Sequence, residues 1–199
     1  GYQFGKRLYH DWKAGGHGYV DLHNALVHSC DVYFYTVGQR MGIDVIAEFG
    51  KDFGLGKATG VELPSERSGI MPSTAWKQKA KNEQWLPGET ISAAIGQGYV
   101  TVTPLQMASL VGTVANNGLS YRPRLVQAVM DRMTGNLMEI QAVPRGKLSV
   151  KPETFRLIKE ALADVVTKGT ATRAKSSVVT IGGKTGTAQV AALRTGPEE

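Results

Sequence analysis

Apolar residues along this chain recur mostly at helical spacing, in runs bounded by residues that start or stop helices. Asp21 can cap a helix that runs to His28, and a second apolar run covers residues 32–41, with Gly42 as its stop. A third helical run is predicted over residues 44–53. The segment WLPGE, further along the chain, is interpreted as a turn.

The strongest helix signal starts at Thr103. Its hydroxyl is a suitable N-cap, Pro104 suits the first helical position, and Gln106 completes a capping box. An apolar stripe follows and ends at the sequence NNG, which is typical of a helix C-terminus. A further helix is predicted to open at Pro152, with its apolar residues on one side.

Strand-like patterns are fewer than helical ones. The runs RPRLVQAVMD and NLMEI lie on either side of Thr134-Gly135, which predicts a β-hairpin. The segment VVTIGGKTGTAQV, residues 178–190, is a third strand candidate. This order favours an α+β fold, in which an antiparallel sheet is covered by helices, over a regular βαβ alternation. With 199 residues, the chain is predicted to form one domain, residues 1–199.

Charge and composition narrow the range of partners. The formal net charge is +6, but the basic residues are scattered without interleaved aromatic residues, so no nucleic-acid partner is predicted. Residues 90–121 carry no charge, yet glycine, proline and amide side chains interrupt them, which argues against a membrane span. The single cysteine, Cys30, excludes an internal disulfide.

The sequence GGKTGT could be a phosphate-binding loop or part of a strand that presents a lysine. A Walker loop needs a glycine at the position of Val178 and a helix after the lysine, and neither pattern is present. In a strand, Lys184 would lie opposite Thr185 and Thr187 unless local twist aims them together. An ammonium group beside two hydroxyls suits a carboxylate-bearing substrate, although the spacing alone also fits a plain surface strand.

Three segments, taken in order, carry a more specific signal: HSCD between two predicted helices, LPGETISAAIGQGYVTVTPLQMA, and GGKTGTAQV. Together they resemble the transpeptidase domain of class B penicillin-binding proteins, most of all the elongation-type peptidoglycan synthases. The resemblance covers nearly the whole chain. It implies the β-lactamase-like, penicillin-recognising serine acyltransferase fold, an antiparallel sheet flanked by helices with a mostly helical subdomain, here expected to be incomplete at both ends.

The resemblance implies roles for two residues of HSCD. In this family a Ser-x-x-Lys motif carries the nucleophile and a Ser-x-Asn motif follows it. Ser29 and Asp31 occupy the second motif, with Asp31 where many relatives have Asn. Ser29 would lie on the proton path, and Asp31 would orient the substrate amide or the motif lysine; as an alternative, either could simply cap a helix. No serine in the chain is followed three positions later by lysine, so the nucleophile is expected before Gly1.

The third family motif corresponds to Lys184-Thr185-Gly186. The resemblance implies that Lys184 supplies positive potential for the substrate carboxylate and that Thr185 and Thr187 hydrogen-bond to it. Gly186 would leave room for the peptide. The backbone N–H of Thr187 would be one of two oxyanion donors, the other belonging to the nucleophilic serine.

The implied function is that of a peptidoglycan D,D-transpeptidase module, which cross-links stem peptides through a serine acyl-enzyme and is acylated by β-lactams. Without the nucleophile motif, this chain alone is expected to be inactive. Expected partners are stem peptides, β-lactam antibiotics and membrane-embedded cell-wall synthesis proteins, at the periplasmic or extracytoplasmic face of a cytoplasmic membrane, with an anchor outside this chain. The alternatives are a β-lactam hydrolase or sensor of the same fold and a non-catalytic scaffold.

Neither a cofactor nor a metal site is predicted. The four histidines, His10, His17, His23 and His28, lack the spacing of metal ligands. Cys30, which lies between the two motif residues, is interpreted as a packing residue rather than a nucleophile. The sequence GQG is interpreted as a site of close backbone approach.

Overall fold

The computed structural model describes residues 1–187. In that part of the chain, seven α-helices and six short β-strands are formed. In chain order the elements are β1 (Tyr2–Phe4), β2 (Arg7–Tyr9), α1 (Leu22–His28), α2 (Asp31–Met41), α3 (Ile43–Asp52), α4 (Thr74–Lys81), α5 (Pro87–Ala93), α6 (Pro104–Ala115), β3 (Leu119–Tyr121), β4 (Ala128–Met130), β5 (Leu137–Glu139), β6 (Pro144–Lys147), α7 (Pro152–Thr167) and a 3-10 turn (Thr172–Ala174). None of the helices described has both the length and the apolar character needed to cross a membrane.

The helices predicted in the first part of the chain are confirmed, and local chemistry sets their ends. Asp21 accepts a hydrogen bond from the backbone N–H of Asn24 at 2.8 Å, which caps α1. Helix α2 ends at Gly42, whose φ of 78° lies outside the range of a right-handed helix. Helix α3 then starts at once.

The capping box predicted for α6 is also confirmed. Oγ1 of Thr103 accepts a hydrogen bond from the N–H of Gln106 at 3.1 Å, and Oε1 of Gln106 accepts one from the N–H of Thr103 at 2.8 Å. The buried amide of Gln106 also donates to the carbonyls of Lys57 and Ser68. Gln106 therefore both caps α6 and binds the loop between α3 and α4.

The interpretation of WLPGE as a turn is wrong from its proline onward. Pro87 is the first residue of α5, and the carboxylate of Glu89 accepts a hydrogen bond from the N–H of Leu86 at 2.7 Å. Proline at the first helical position, followed two residues later by an acid, is a helix-start pattern. The same residue types are common in turns, which is why the segment was ambiguous.

Strand pairing is antiparallel, as predicted, but it forms three separate two-stranded sheets within residues 1–187: β1 with β2, β3 with β6, and β4 with β5. The predicted hairpin is confirmed as β4 and β5. The predicted strand at 178–190 is wrong for residues 178–187, which form no strand, and residues 188–190 lie outside the described part. Instead, the N–H of Gly183 donates to the carbonyl of Leu162 in α7 at 3.0 Å.

The core that supports the predicted site lies where α1 packs against α7 and α2 packs against α5. Val27 of α1 and Val165 and Val166 of α7 are at most 2% exposed. A Cβ at Gly169 would lie 2.4 Å from the carbonyl oxygen of Val27, so only glycine fits without displacing backbone. The C-terminal ends of α1 and α7 are therefore held side by side.

Candidate active site

Ser29 occupies a sharp junction between α1 and α2. It caps α1 with φ 55° and ψ 49°, a left-handed conformation that is strained for a residue other than glycine. Ser29 and Asp31 both face an open cavity, whereas Cys30 between them is 3% exposed. Cys30 does not line this cavity, which agrees with the interpretation that it is not the nucleophile.

The cavity has a volume of about 810 Å³ and lies between the α1–α2 junction and residues 184–187. All of the residues predicted for the site line it, namely Ser29, Asp31, Lys184, Thr185, Gly186 and Thr187. The remaining walls are formed by Trp12, Phe34, Ala94, Ile95, Gln97 and Thr170. The fold thus brings together two motifs from opposite ends of the chain.

An amino group and three hydroxyls meet on one side of this cavity. Nζ of Lys184 donates a hydrogen bond to Oγ of Ser29 and lies 3.5 Å from Oγ1 of Thr185. Oγ1 of Thr170 lies 2.8 Å from Oγ1 of Thr185 and 3.2 Å from Oγ of Ser29. Lys184 and Thr185 therefore do point to the same side, but in an irregular segment and not in the twisted strand that was expected.

Burial disfavours the charged form of both ionisable groups beside these hydroxyls. Loss of hydration lowers the pKa of Lys184, and the negative charge of Asp31 opposes this effect. Loss of hydration raises the pKa of Asp31, and the charge of Asp11 adds to the rise. Lys184 is exposed as a residue, but its amino group is desolvated among polar atoms, so its neutral form is more accessible than that of an ordinary surface lysine.

Trp12 is a wall of the cavity that the sequence analysis missed. Its indole N–H donates to the carbonyls of His28 at 3.1 Å and Ser29 at 2.9 Å, at the end of α1. Its backbone N–H donates to Oδ2 of Asp31 at 3.3 Å. Trp12 therefore satisfies backbone groups at the helix end and orients the Asp31 carboxylate. The signal in the sequence was a tryptophan within the polar, glycine-rich segment DWKAGGHG.

The sequence GQG also contributes to the cavity, through Gln97. The interpretation that another part of the chain packs closely against the backbone of this turn is wrong for Gly96, because a Cβ there would meet nothing within 4 Å. Gly96 and Gly98 instead have φ values of 77° and 70°, which glycine adopts at little cost. The two glycines thus shape a turn that presents an amide side chain to the cavity.

A compact cluster of Asp11, His17 and Cys30 lies behind the α1–α2 junction. One ligand atom of each residue lies within 4.8 Å of the others. Nδ1 of His17 is 3.1 Å from Oδ2 of Asp11, and the Cys30 thiol donates to the same oxygen at 3.2 Å. Imidazole, thiolate and carboxylate are the ligand types that Zn²⁺ takes in proteins, so these residues could hold a metal ion. The cluster was not predictable from the sequence, because its three members have no regular spacing.

The chain matches known proteins along its whole length. Residues 1–199 match the family described as penicillin binding protein transpeptidase domain. Peptidoglycan D,D-transpeptidase MrdA of Acinetobacter baumannii is 39% identical over 190 residues, a match that covers 94% of this chain and 28% of that protein. The chain therefore spans less than a third of this relative's length.

Solved structures agree with the sequence match. PBP2 from Helicobacter pylori superposes with a TM-score of 0.82 at 33% identity, over 95% of this chain and 34% of that one. It has also been solved in a complex with MreC, with a TM-score of 0.79, 33% identity and the same coverage. PBP2 from Pseudomonas aeruginosa, in complex with WCK 5153, gives 0.81 at 33% identity, over 95% of this chain and 43% of that one. The predicted fold class is confirmed, and the chain belongs to the family of penicillin-binding protein transpeptidase domains.

Proposed function

We propose that this chain is part of a peptidoglycan D,D-transpeptidase, which cross-links stem peptides through a serine acyl-enzyme. The observation that carries the proposal is the contact of Lys184 with the hydroxyls of Ser29 and Thr185 in one open cavity. Membership of the family and the similarity to MrdA support the reaction type. Because the chain contains no Ser-x-x-Lys sequence, we propose that the nucleophile belongs to another part of the whole protein.

The charge pattern of the cavity suits a peptide that ends in a carboxylate, such as D-Ala-D-Ala. Lys184 would attract the carboxylate, and the hydroxyls of Thr185 and Thr187 would donate hydrogen bonds to it. A Cβ at Gly186 would meet nothing within 4 Å, so there is open space beside its backbone for an extended peptide. The substrate carboxylate would then fix the position of the scissile amide one residue away.

Ser29 would lie on the path of the proton that leaves the nucleophile and reaches the departing amine. Its Oγ accepts a hydrogen bond from Lys184, whose pKa is lowered by burial. Such a lysine exchanges a proton more readily than a fully hydrated one. Asp31 would act on Lys184 through its charge, because a nearby carboxylate favours the protonated amine.

The partners and location of the whole protein are also part of the proposal. Stem peptides would be its substrates, and β-lactams would be its covalent inhibitors. The complex of the H. pylori relative with MreC supports a partner of that kind among the cell-wall synthesis proteins. The domain would act at the extracytoplasmic, or periplasmic, face of the cytoplasmic membrane, where peptidoglycan is assembled.

Exposure of the full-length protein to a fluorescent penicillin tests the transpeptidase proposal. We expect a one-to-one covalent adduct that survives denaturation, together with cross-linked products from pentapeptide stem substrates. Fast turnover of the penicillin without cross-linking would favour a β-lactam hydrolase, and a stable adduct without cross-linking would favour a sensor. Absence of any adduct would favour a non-catalytic scaffold.

A second candidate function, zinc binding, is favoured by the cluster of Asp11, His17 and Cys30. We propose that these residues supply three ligands to Zn²⁺ and thereby brace the junction that holds Ser29. Addition of ZnCl₂ to metal-stripped protein should raise the Tm of the wild type but not that of Cys30→Ser or His17→Gln. The control His10→Gln should respond as the wild type does. An equal response of all four proteins would refute zinc binding at this cluster.

A further inference from the structure

Thr170 lies at the centre of the hydroxyl cluster, although no sequence motif pointed to it. Its Oγ1 is 2.8 Å from Oγ1 of Thr185 and 3.2 Å from Oγ of Ser29. The direct separation between the hydroxyls of Ser29 and Thr185 is longer, at 3.4 Å. Thr170 therefore bridges the hydroxyls of Ser29 and Thr185 with shorter contacts than these two hydroxyls make with each other.

The number of hydrogens that these side chains can donate suggests an order of donors and acceptors within the cluster. A protonated Lys184 donates to Oγ of Ser29, and Ser29 keeps its own hydroxyl hydrogen to donate to another acceptor. The nearer of its two hydroxyl neighbours is Thr170. With Thr170 as the acceptor of that hydrogen, its own hydroxyl hydrogen is left to donate, and Oγ1 of Thr185 lies 2.8 Å away to accept it. The hydroxyl hydrogen of Thr185 is thereby left free to point into the cavity.

We propose that Thr170 is a positioning residue, which orients the hydroxyl of Thr185 as a donor toward the substrate carboxylate. The hydrogen-bonded chain runs from Lys184 through Ser29 and Thr170 to Thr185. This inference rests on the proposed transpeptidase function and adds a residue outside the family motifs to it. Thr170 acts through Thr185 and does not need to touch the substrate.

The main chain of Thr170 is anchored independently of any substrate. Its N–H donates to the carbonyl of Val27 at the end of α1 at 3.3 Å, and the N–H of Ala171 donates to the carbonyl of Val165 in α7 at 3.0 Å. Gly169 immediately before it has no room for a side chain. The backbone that carries the Thr170 hydroxyl is thus held by α1 and α7. Recognition of a charged group requires polar groups that are fixed in advance in this way.

The test compares Thr170→Val and Thr170→Ser in the full-length protein. Valine keeps the shape of threonine without the hydroxyl, and serine keeps the hydroxyl. The second-order rate constant of acylation by benzylpenicillin should fall about tenfold in Thr170→Val, which is the scale of one hydrogen bond. Thr170→Ser should stay within about twofold of the wild type. The matched control is Thr167→Val, three residues earlier at the end of α7, whose hydroxyl donates to Asp164 instead, and it should acylate as the wild type does.

Benzylpenicillin methyl ester separates positioning from general packing damage. With benzylpenicillin itself, the wild type should be acylated about ten times faster than Thr170→Val. The ester lacks the free carboxylate, so with the ester the two proteins should be acylated at about the same rate. An equal ratio for the two compounds, or a Thr170→Ser protein as slow as Thr170→Val, would overturn the inference even if the variants are less stable. A wild type that both compounds fail to acylate would instead refute the transpeptidase proposal itself.

Discussion

Nζ of Lys184 donates a hydrogen bond to Oγ of Ser29 across 155 residues of sequence. Both partners are held in unfavourable states, because Ser29 is in a left-handed conformation and the amino group of Lys184 is desolvated. Surrounding packing must impose such states, and they concentrate where proteins bind ligands or perform chemistry. The contact therefore identifies the side of the cavity on which substitutions should affect acylation most.

Removing the amino group of Lys184 should slow acylation of the full-length protein by penicillin about 100-fold, the scale of losing one preorganised electrostatic contact. Lys184→Ala is the variant, and stopped-flow or fluorescent-penicillin kinetics supply the rate constant. Lys175→Ala is the control, since it removes another exposed lysine that is nearby in sequence but does not line the cavity. Acylation of Lys184→Ala at the wild-type rate would remove Lys184 from the mechanism.

As the pH rises, the acylation rate should begin to decline at a lower pH than it would if Lys184 had the ordinary lysine pKa of 10.5. Burial lowers the pKa of Lys184, so its charge is lost as the pH rises through a value below 10.5, and the substrate carboxylate then loses its partner. The negative charge of Asp31 raises the same pKa. Asp31→Asn should therefore move the decline to still lower pH, as measured by rate profiles from neutral to alkaline pH.

Asp44→Asn is the control for this pH dependence, because Asp44 is also an acid in the first turn of a helix. Its side chain bonds Thr74 at 2.8 Å, far from Lys184 in sequence and outside the cavity lining. Its profile should coincide with that of the wild type. Coincident profiles for the wild type and Asp31→Asn would mean that Asp31 has only a structural role.

Two substitutions at Ser29 should separate backbone strain from chemistry. Glycine adopts a φ of 55° freely, whereas alanine retains a steric cost of about 1 kcal/mol. Ser29→Gly should therefore be more stable than Ser29→Ala by about 1 kcal/mol in urea unfolding. Both should lose about 100-fold or more in acylation rate, because neither has a hydroxyl to relay a proton. Wild-type acylation by either variant would contradict the proposed proton path.

Helix boundaries were predictable from sequence where a cap is made of neighbouring residues. Asp21 before α1 and Thr103 with Gln106 before α6 are such cases. The start of α5 was misjudged because its local residues suit a turn as well as a helix. Glu89 also accepts a 2.6 Å hydrogen bond from the buried Lys77 of α4, which links the start of α5 to another helix. Local pattern does not specify that pairing.

The motif residues of the site were predictable because their order along the chain is specific to a family. Trp12, Gln97 and Thr170 were not, since each comes from a different segment and only tertiary packing brings them to the cavity. The strand expected at residues 178–190 was wrong over its described part, residues 178–187, for a related reason. A strand needs a partner to complete its hydrogen bonds, and a sequence pattern does not show whether one is in place.

Gly169→Ala should weaken both the fold and the site. Its Cβ would lie 2.4 Å from the carbonyl oxygen of Val27 and 2.8 Å from Cα of Val165, and these backbone atoms cannot move aside unless α1 or α7 shifts. Such overpacking costs about 1–3 kcal/mol of unfolding free energy. Thr170 follows directly and donates its N–H to the same Val27 carbonyl, so the shift should separate the hydroxyls and slow acylation about tenfold.

Urea unfolding and penicillin acylation of the full-length protein measure the two effects of Gly169→Ala. Gly112→Ala is the matched control, because Gly112 is a helical glycine of α6 where a Cβ would meet nothing within 4 Å. Alanine is the better helix former, so Gly112→Ala should be neutral or more stable by up to about 1 kcal/mol, with unchanged acylation. If Gly169→Ala behaves like Gly112→Ala, the ends of α1 and α7 are not tightly docked, and their packing does not position Thr170.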